Sequence, residues 1–229
     1  MRLIADLKDL LLPRLCPVCG KLLMESEDVL CAFCAIGLPR YSVLNCEDNT
    51  LLRMLWNRSD IRRATTFLSY NHNSPYHNLI IDFKFHGKRE LAVKLGRWAA
   101  LEATRHGFFE GIDALVPVPL HWWRRLGRGY NQAEMLALGM AEVTGLPVVN
   151  LLKRTKYRKP QSTLKGEARL KNAEGIYEAI TIPAEWQGKT FAIVDDVMTT
   201  GATLAACARA LQCADKDATI CAFPLCYAE

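Results

Sequence analysis

From residue 62 onward, short apolar runs alternate with longer stretches whose apolar residues recur at helical spacing. Residues 64–70, 113–118, 147–151, 191–194 and 218–225 read as strands, and 78–85, 90–105, 132–143 and 202–214 as helices. Strands alternating with helices predict an α/β fold, a mostly parallel sheet flanked by helices. Phe191, Ala192, Ile193 and Val194 form the nearly continuous apolar run of a strand buried on both faces. The pattern before residue 62 is different. Leu3, Leu7, Leu10 and Leu11 share one face of a short amphipathic helix, a cysteine-rich segment follows, and Pro39 with the polar stretch 45–50 reads as a connection. These shifts divide the chain into a helix and ribbon at 1–40, a linker or helix at 41–60, and the α/β domain at 61–229.

Composition bounds this picture. With 229 residues, half of them hydrophobic, the chain builds one ample core plus a small appendage. No apolar stretch approaches the roughly 20 residues of a membrane helix, so no membrane span is expected. Asp6, Lys8 and Asp9 interrupt the first apolar run, and no small-residue cleavage site follows, which argues against a signal peptide. The acids on its polar face favour docking against the body over a membrane-surface role. Nine cysteines, an odd number without a secretory signal, point to a reducing, cytoplasmic location.

Four of those cysteines stand apart. Cys16 and Cys19, then Cys31 and Cys34, form two C-x2-C pairs separated by eleven residues. That spacing lets two tight knuckles deliver four thiolates tetrahedrally to one zinc ion. Four thiolates fill the shell, so the zinc is structural and not catalytic. A redox dithiol is the alternative for either pair taken alone. The other cysteines read as small packed hydrophobes.

Residues 193–203, IVDDVMTTGAT, carry the candidate chemistry of the main domain. Asp195 and Asp196 sit at the carboxyl end of the expected strand, where open α/β sheets place their ligands. Thr199, Thr200, Gly201, Ala202 and Thr203 then open a helix with free backbone N–H groups, hydroxyls and a glycine able to bend. Such a helix start attracts anions, phosphate above all. Strand side chains alternate between faces, so the two acids suit separate hydroxyl partners, as a sugar diol beside a phosphate would supply. A plain strand-to-helix junction with a Thr cap is the bland alternative. A Walker A loop fails because Pro183 replaces its leading glycine and Gly188, Lys189 and Thr190 precede a strand. The dinucleotide pattern begun by Gly127 and Gly129 stops at Gln132.

The stretch 193–203 resembles the phosphoribosyl pyrophosphate (PRPP) motif of type I phosphoribosyltransferases. Residues 116–132, VPVPLHWWRRLGRGYNQ, leave a strand through prolines, carry Arg124, Arg125 and Arg128 without an acid, and resemble that family's pyrophosphate loop. PVPL, RGYNQ, IVDDVMTTGAT and the four-cysteine ribbon together resemble the ComF family of competence-related proteins. The resemblance implies a type I phosphoribosyltransferase-like sheet with a small N-terminal zinc ribbon, binding PRPP with Mg²⁺. It implies ribose contacts from Asp195 and Asp196 and 5-phosphate contacts from Thr199, Thr200, Gly201, Ala202 and Thr203. It further implies Pro119, Leu120 and Arg128 at the pyrophosphate loop, and Lys84, within IDFKFHG, reaching the ligand.

Activity is less determined. Purine-salvage transferases usually carry an acid at the position matching Thr199, whose hydroxyl cannot replace that charge. Met1 is followed by Arg2 and the first cysteine is a zinc ligand, so the N-terminal nucleophile of a glutamine amidotransferase is missing. Charge is local: residues 153–171 sum to +7 and the three loop arginines add +3, whereas the whole chain is only +5. This basic arm is a solvated loop, a mobile cover for PRPP as in related transferases, or a track for single-stranded nucleic acid. Trp122, Trp123, Tyr130 and Tyr157 are either stacking surfaces for such a track or core residues. Three functions follow, in order: a ComF-type factor handling single-stranded DNA through residues 124–171 in natural transformation, a Mg²⁺-dependent phosphoribosyltransferase of unknown nitrogenous acceptor, and a PRPP-sensing nucleic-acid-binding regulator. The first carries an expectation of other competence or DNA-processing proteins as partners.

Overall fold

A computed structural model describes residues 13–41, 45–56, 58–71, 73–85, 89–120, 129–155 and 175–228, with backbone alone at 83–85. The helix expected within residues 1–12, the three loop arginines and the basic stretch 156–171 lie outside the described residues. The elements are α1 (Ala32–Ile36), α2 (Thr50–Trp56), β1 (Ile61–Ala64), β2 (Leu68–Tyr70), α3 (His77–Phe85), α4 (Arg89–Arg105), β3 (Ala114–Pro117), α5 (Gln132–Thr144), β4 (Leu152–Arg154), β5 (Tyr177–Ala179), a 3₁₀ turn (Ala184–Trp186), β6 (Thr190–Met198), α6 (Ala202–Ala214) and β7 (Thr219–Ala228).

The main sheet is parallel, in the order β1-β7-β6-β3, with β2 also pairing to β7. The expected strand at 64–70 is thus two short strands, which meet β7 at different heights: Ile61 lies opposite Ile220, and Leu68 opposite Cys226. The strand expected at 147–151 contributes only a parallel bridge between Val148 and Leu115. The chain then turns into β4, which pairs antiparallel with β5 as a separate two-stranded ribbon. The stretch at 41–60, expected as a linker or helix, contains α2, because Leu51, Leu52 and Leu55 form an apolar helical stripe that packs against the sheet.

Strand alternation sorts the core into two layers. Ala192 and Val194 of β6, Leu115 of β3, and Cys221, Phe223 and Leu225 of β7 join one layer with α4, α5 and ribbon residues Leu23, Val29, Leu30 and Leu38. Phe191 and Ile193, Ala114 and Val116, and Ile220 and Ala222 join the other with α2 and α6. Helices α4 and α5 approach so closely that a Cβ on Gly96 would sit 2.2 Å from the Leu136 carbonyl oxygen, and one on Gly139 2.0 Å from that of Val93. Only glycine fits at those two crossing points. No helix among the described residues is long and apolar enough to cross a membrane.

Candidate functional site

The Sγ atoms of Cys16, Cys19, Cys31 and Cys34 all lie within 4.8 Å of one another. Zn–S bonds of about 2.3 Å at tetrahedral angles separate sulfurs by roughly 3.8 Å, so the cluster has the dimensions of a zinc shell. Its first knuckle closes through Gly20, whose N–H donates to the Cys16 carbonyl at 2.8 Å and whose φ is +71°. The second begins at Cys31, which precedes α1, and places Cys34 inside that helix. Glu27 ties the knuckles together by accepting from the N–H of Met24 at 2.8 Å and of Ala32 at 2.6 Å, and these bonds hold its carboxyl below the usual range. Burial works to raise the Cys16 thiol, but backbone hydrogen bonds around Cys31, Cys19 and Val18 outweigh it and bring it to about 7. Burial and the neighbouring thiols push Cys34 upward. Cys16 is thus held towards the thiolate and Cys34 towards the thiol, opposite pulls set by hydrogen bonding at one and burial at the other.

The second site forms where the sheet splits. β3 follows β6 as far as Pro117 opposite Val194, with a last bond from Val118 N–H to the Val194 carbonyl at 2.9 Å. Pro117 and Pro119 then carry the chain away, since proline cannot donate to a ladder. β6 does not end at Val194 as expected. It continues to Met198 because β7 still pairs with it, Val197 opposite Cys226 and Met198 opposite Tyr227. Asp195 and Asp196 therefore sit inside β6, at the point where one neighbour has left and the other remains.

The split leaves a cavity of about 140 Å³ lined by Asp195, Asp196, Val197, Thr203, Pro119, Leu120, Asn131, Arg154 and Tyr177, among others. The two acids serve opposite sides of β6. Tyr177, on the α6 side, is raised by burial first, then by Cys207 and Asp195, with Arg154 opposing. Tyr70, on the other side, is pushed up to about 12 by burial, then by Cys226 and Asp196. The Asp195 carboxylate accepts from the Asp196 N–H at 2.8 Å.

Two helix starts border this cavity. Asn131 caps α5, accepting from the Ala133 N–H at 3.2 Å while its own amide donates to the Val118 carbonyl at 3.0 Å. α6 starts at Gly201, whose φ is +73°, without a side-chain cap and without an acid in its first turn. The N–H groups of Gly201, Ala202, Thr203 and Leu204 have no acceptor within the helix, and the helix field favours an anion there. Position 201 needs glycine for its φ and for space, since a Cβ would lie 2.5 Å from Leu55 Cδ2.

Of the sequence-predicted residues, Asp195, Asp196, Thr203, Pro119 and Leu120 meet around this one cavity. Thr199 is exposed and Thr200 half-buried in the turn that leads to Gly201 and Ala202. Lys84 falls near the end of α3 with only its backbone described, and Arg128 lies outside the described residues. The sequence reading missed Arg154 and Tyr177 as cavity residues. Their guanidinium and ring stack at 5.5 Å across the β4–β5 pair, and Arg154 Nε is buried without a hydrogen-bond partner. Arg154 was legible only as one charge of the basic arm. Lys153, counted with it, pairs instead with Glu178 at 3.2 Å. Tyr130, offered as a stacking surface or a core residue, is 4% exposed under the Arg89 guanidinium, which makes it core.

No family model matches the sequence. Curated relatives do. The chain is 30% identical over 202 residues to DNA utilization protein YhgH of Escherichia coli K12, covering 86% of this chain and 83% of that one. It is 29% identical over 218 residues to Competence protein ComFC of Bacillus subtilis 168, covering 92% and 77%. It is 33% identical over 134 residues to Competence protein F of Haemophilus influenzae, where the match covers 57% of this chain and spans only 58% of the relative. Similar solved structures are the allosteric regulatory enzyme of purine biosynthesis and the B. subtilis glutamine PRPP amidotransferase complexed with ADP and GMP, each at a TM-score of 0.41 and 18% identity, covering 62% of this chain and 30% of theirs. That structural overlap is too partial to carry an argument. The sequence identity extends over most of this chain and most of the E. coli relative, and on that ground the chain belongs to the ComF family.

Proposed function

We propose that the cleft binds PRPP with Mg²⁺, and that the protein serves the handling of single-stranded DNA in natural transformation. The observation that carries the first half is the company kept in one cavity. Two carboxylates, the first turn of an uncapped helix and a guanidinium whose Nε lacks an acceptor converge there. A buried donor left unpaired is costly, so an anionic ligand satisfies Arg154 as well as the helix start. The 5-phosphate sits on the N–H groups of residues 201–203, and Asp195 and Asp196 accept from the ribose hydroxyls. Pro119 and Leu120 hold the facing wall rigid. Mg²⁺ would be held with the ligand beside Asp195 and Asp196, where it would supply charge neutralisation of the pyrophosphate. Membership in a family whose relatives are named for competence and DNA utilization supports the second half. Zinc in the four-cysteine cluster fixes the ribbon and leaves no open coordination position.

The test is a PRPP titration with and without Mg²⁺, with pyrophosphate release followed in parallel across nitrogenous acceptors. Mg²⁺-dependent saturable binding without release supports a PRPP-dependent handling factor. Release with one acceptor establishes a transferase, and absence of binding overturns the PRPP reading.

A further inference from the structure

The turn that follows α2 is fastened to the loop that precedes α6. Arg58 donates from its guanidinium to the Thr200 carbonyl. Arg209 on α6 in turn donates to the carbonyl of Arg58, and Gln212 Nε2 donates to that of Asp60 at 2.7 Å. α2 also seats Leu55 against Gly201. One side-chain-to-backbone bond and one apolar contact thus join the α2 segment to the candidate anion turn, and two further bonds tie the residues after α2 to α6.

The bond to Thr200 has a directional consequence. Thr200 C=O and Gly201 N–H belong to one peptide unit, which is planar and trans, so the two groups point in opposite directions. Holding the carbonyl on Arg58 therefore aims the Gly201 N–H away from the Arg58 guanidinium. A cation on the carbonyl also polarises the peptide and strengthens its N–H as a donor. Gly201, at φ +73°, has neighbouring conformations open to it that a larger residue lacks. Without the brace that peptide is free to turn.

We propose that Arg58 is a positioning residue for anion recognition: seated on the Thr200 carbonyl, it presets the Gly201 N–H as a donor, which makes the α2 segment part of the site. The identity of the anion rests on the PRPP reading above.

The experiment titrates PRPP with Mg²⁺, and ribose 5-phosphate separately, into wild type, Arg58→Ala and Arg58→Lys. Circular dichroism and the Gly201 amide resonance are recorded for each. Arg58→Ala is expected to weaken both ligands about tenfold, as loss of a charged hydrogen bond does, and to displace the Gly201 resonance while the fold persists. Arg58→Lys, which keeps a cationic donor, is expected to recover most of the affinity. Equal affinity in wild type and Arg58→Ala overturns the assignment of Arg58 alone. Loss of affinity that merely follows loss of folded protein, with Gly201 unmoved in the folded fraction, also overturns it. A wild type that binds neither ligand overturns the PRPP reading and the proposal with it.

Discussion

All four thiols of the cysteine cluster come from residues 16–34, within two tight turns, whereas the cleft draws its walls from the segment that follows β3, from β4, β5 and β6, and from the starts of α5 and α6. The cluster is assembled by local geometry, so its ligand set is complete wherever the two knuckles form. The cleft is assembled by the sheet, and no segment of it has the right shape alone. A local site tolerates change elsewhere but fails outright when one ligand is lost. A distributed site degrades in steps, each step set by how one wall is held.

The largest effect is expected at the cluster. Wild type should hold one zinc per chain and Cys31→Ser none, because structural zinc contributes on the order of 10 kcal/mol to the folding of such sites. Metal analysis and limited proteolysis of residues 13–41 check both halves, and full zinc content in the variant breaks the assignment.

Next in size is Gly201→Val. It should abolish PRPP binding and also lower stability by about 1–3 kcal/mol, because a β-branched residue is strained at positive φ. The 2.5 Å approach to Leu55 adds to that cost. Thermal unfolding beside calorimetry separates the two losses, and wild-type affinity in the folded variant moves the site elsewhere. Asp195→Asn and Asp196→Asn should weaken PRPP by about ten- to a hundredfold, the scale of one charged contact. Both acids are half-buried, not core, so the unfolding temperature should change little. An affinity within twofold of wild type for both variants removes the ribose contacts.

The smallest effect concerns the basic arm. Single-stranded DNA should bind with little sequence preference, its log affinity falling with log salt by about 0.7 per neutralised phosphate. Replacing Lys156, Arg158 and Lys159 by Ala should flatten that slope, and Asp196→Asn should leave it nearly unchanged. A slope the triple variant does not alter takes the arm out of DNA binding.

How much could be read from the sequence follows the same division. The C-x2-C spacing fixes the cluster by itself, because turn geometry depends on adjacent residues. Helices α4, α5 and α6 fall close to their expected ranges, since periodic apolar stripes on long segments are local signals. The end of β6 was misplaced by four residues because a strand ends where its last partner leaves, and β7 lies beyond α6 in the chain. Arg154 and Tyr177 were missed for a related reason. Their pairing crosses residues 156–174, and nothing near Arg154 distinguishes it from the lysines that follow. Arg58 sits in the stretch at 41–60 that reads as a linker or helix, and its acceptor lies 142 residues away.

The central claim is that the anion turn at 199–203 receives the 5-phosphate of PRPP. Two-dimensional ¹⁵N–¹H spectra of the zinc-loaded protein, titrated with PRPP at fixed Mg²⁺, test it most directly. The account predicts that the amides of Gly201, Ala202 and Thr203 shift most, saturably and together, with smaller shifts at Asp195 and Asp196. Saturation elsewhere with those three amides unmoved, or no saturable shift at all, would contradict it.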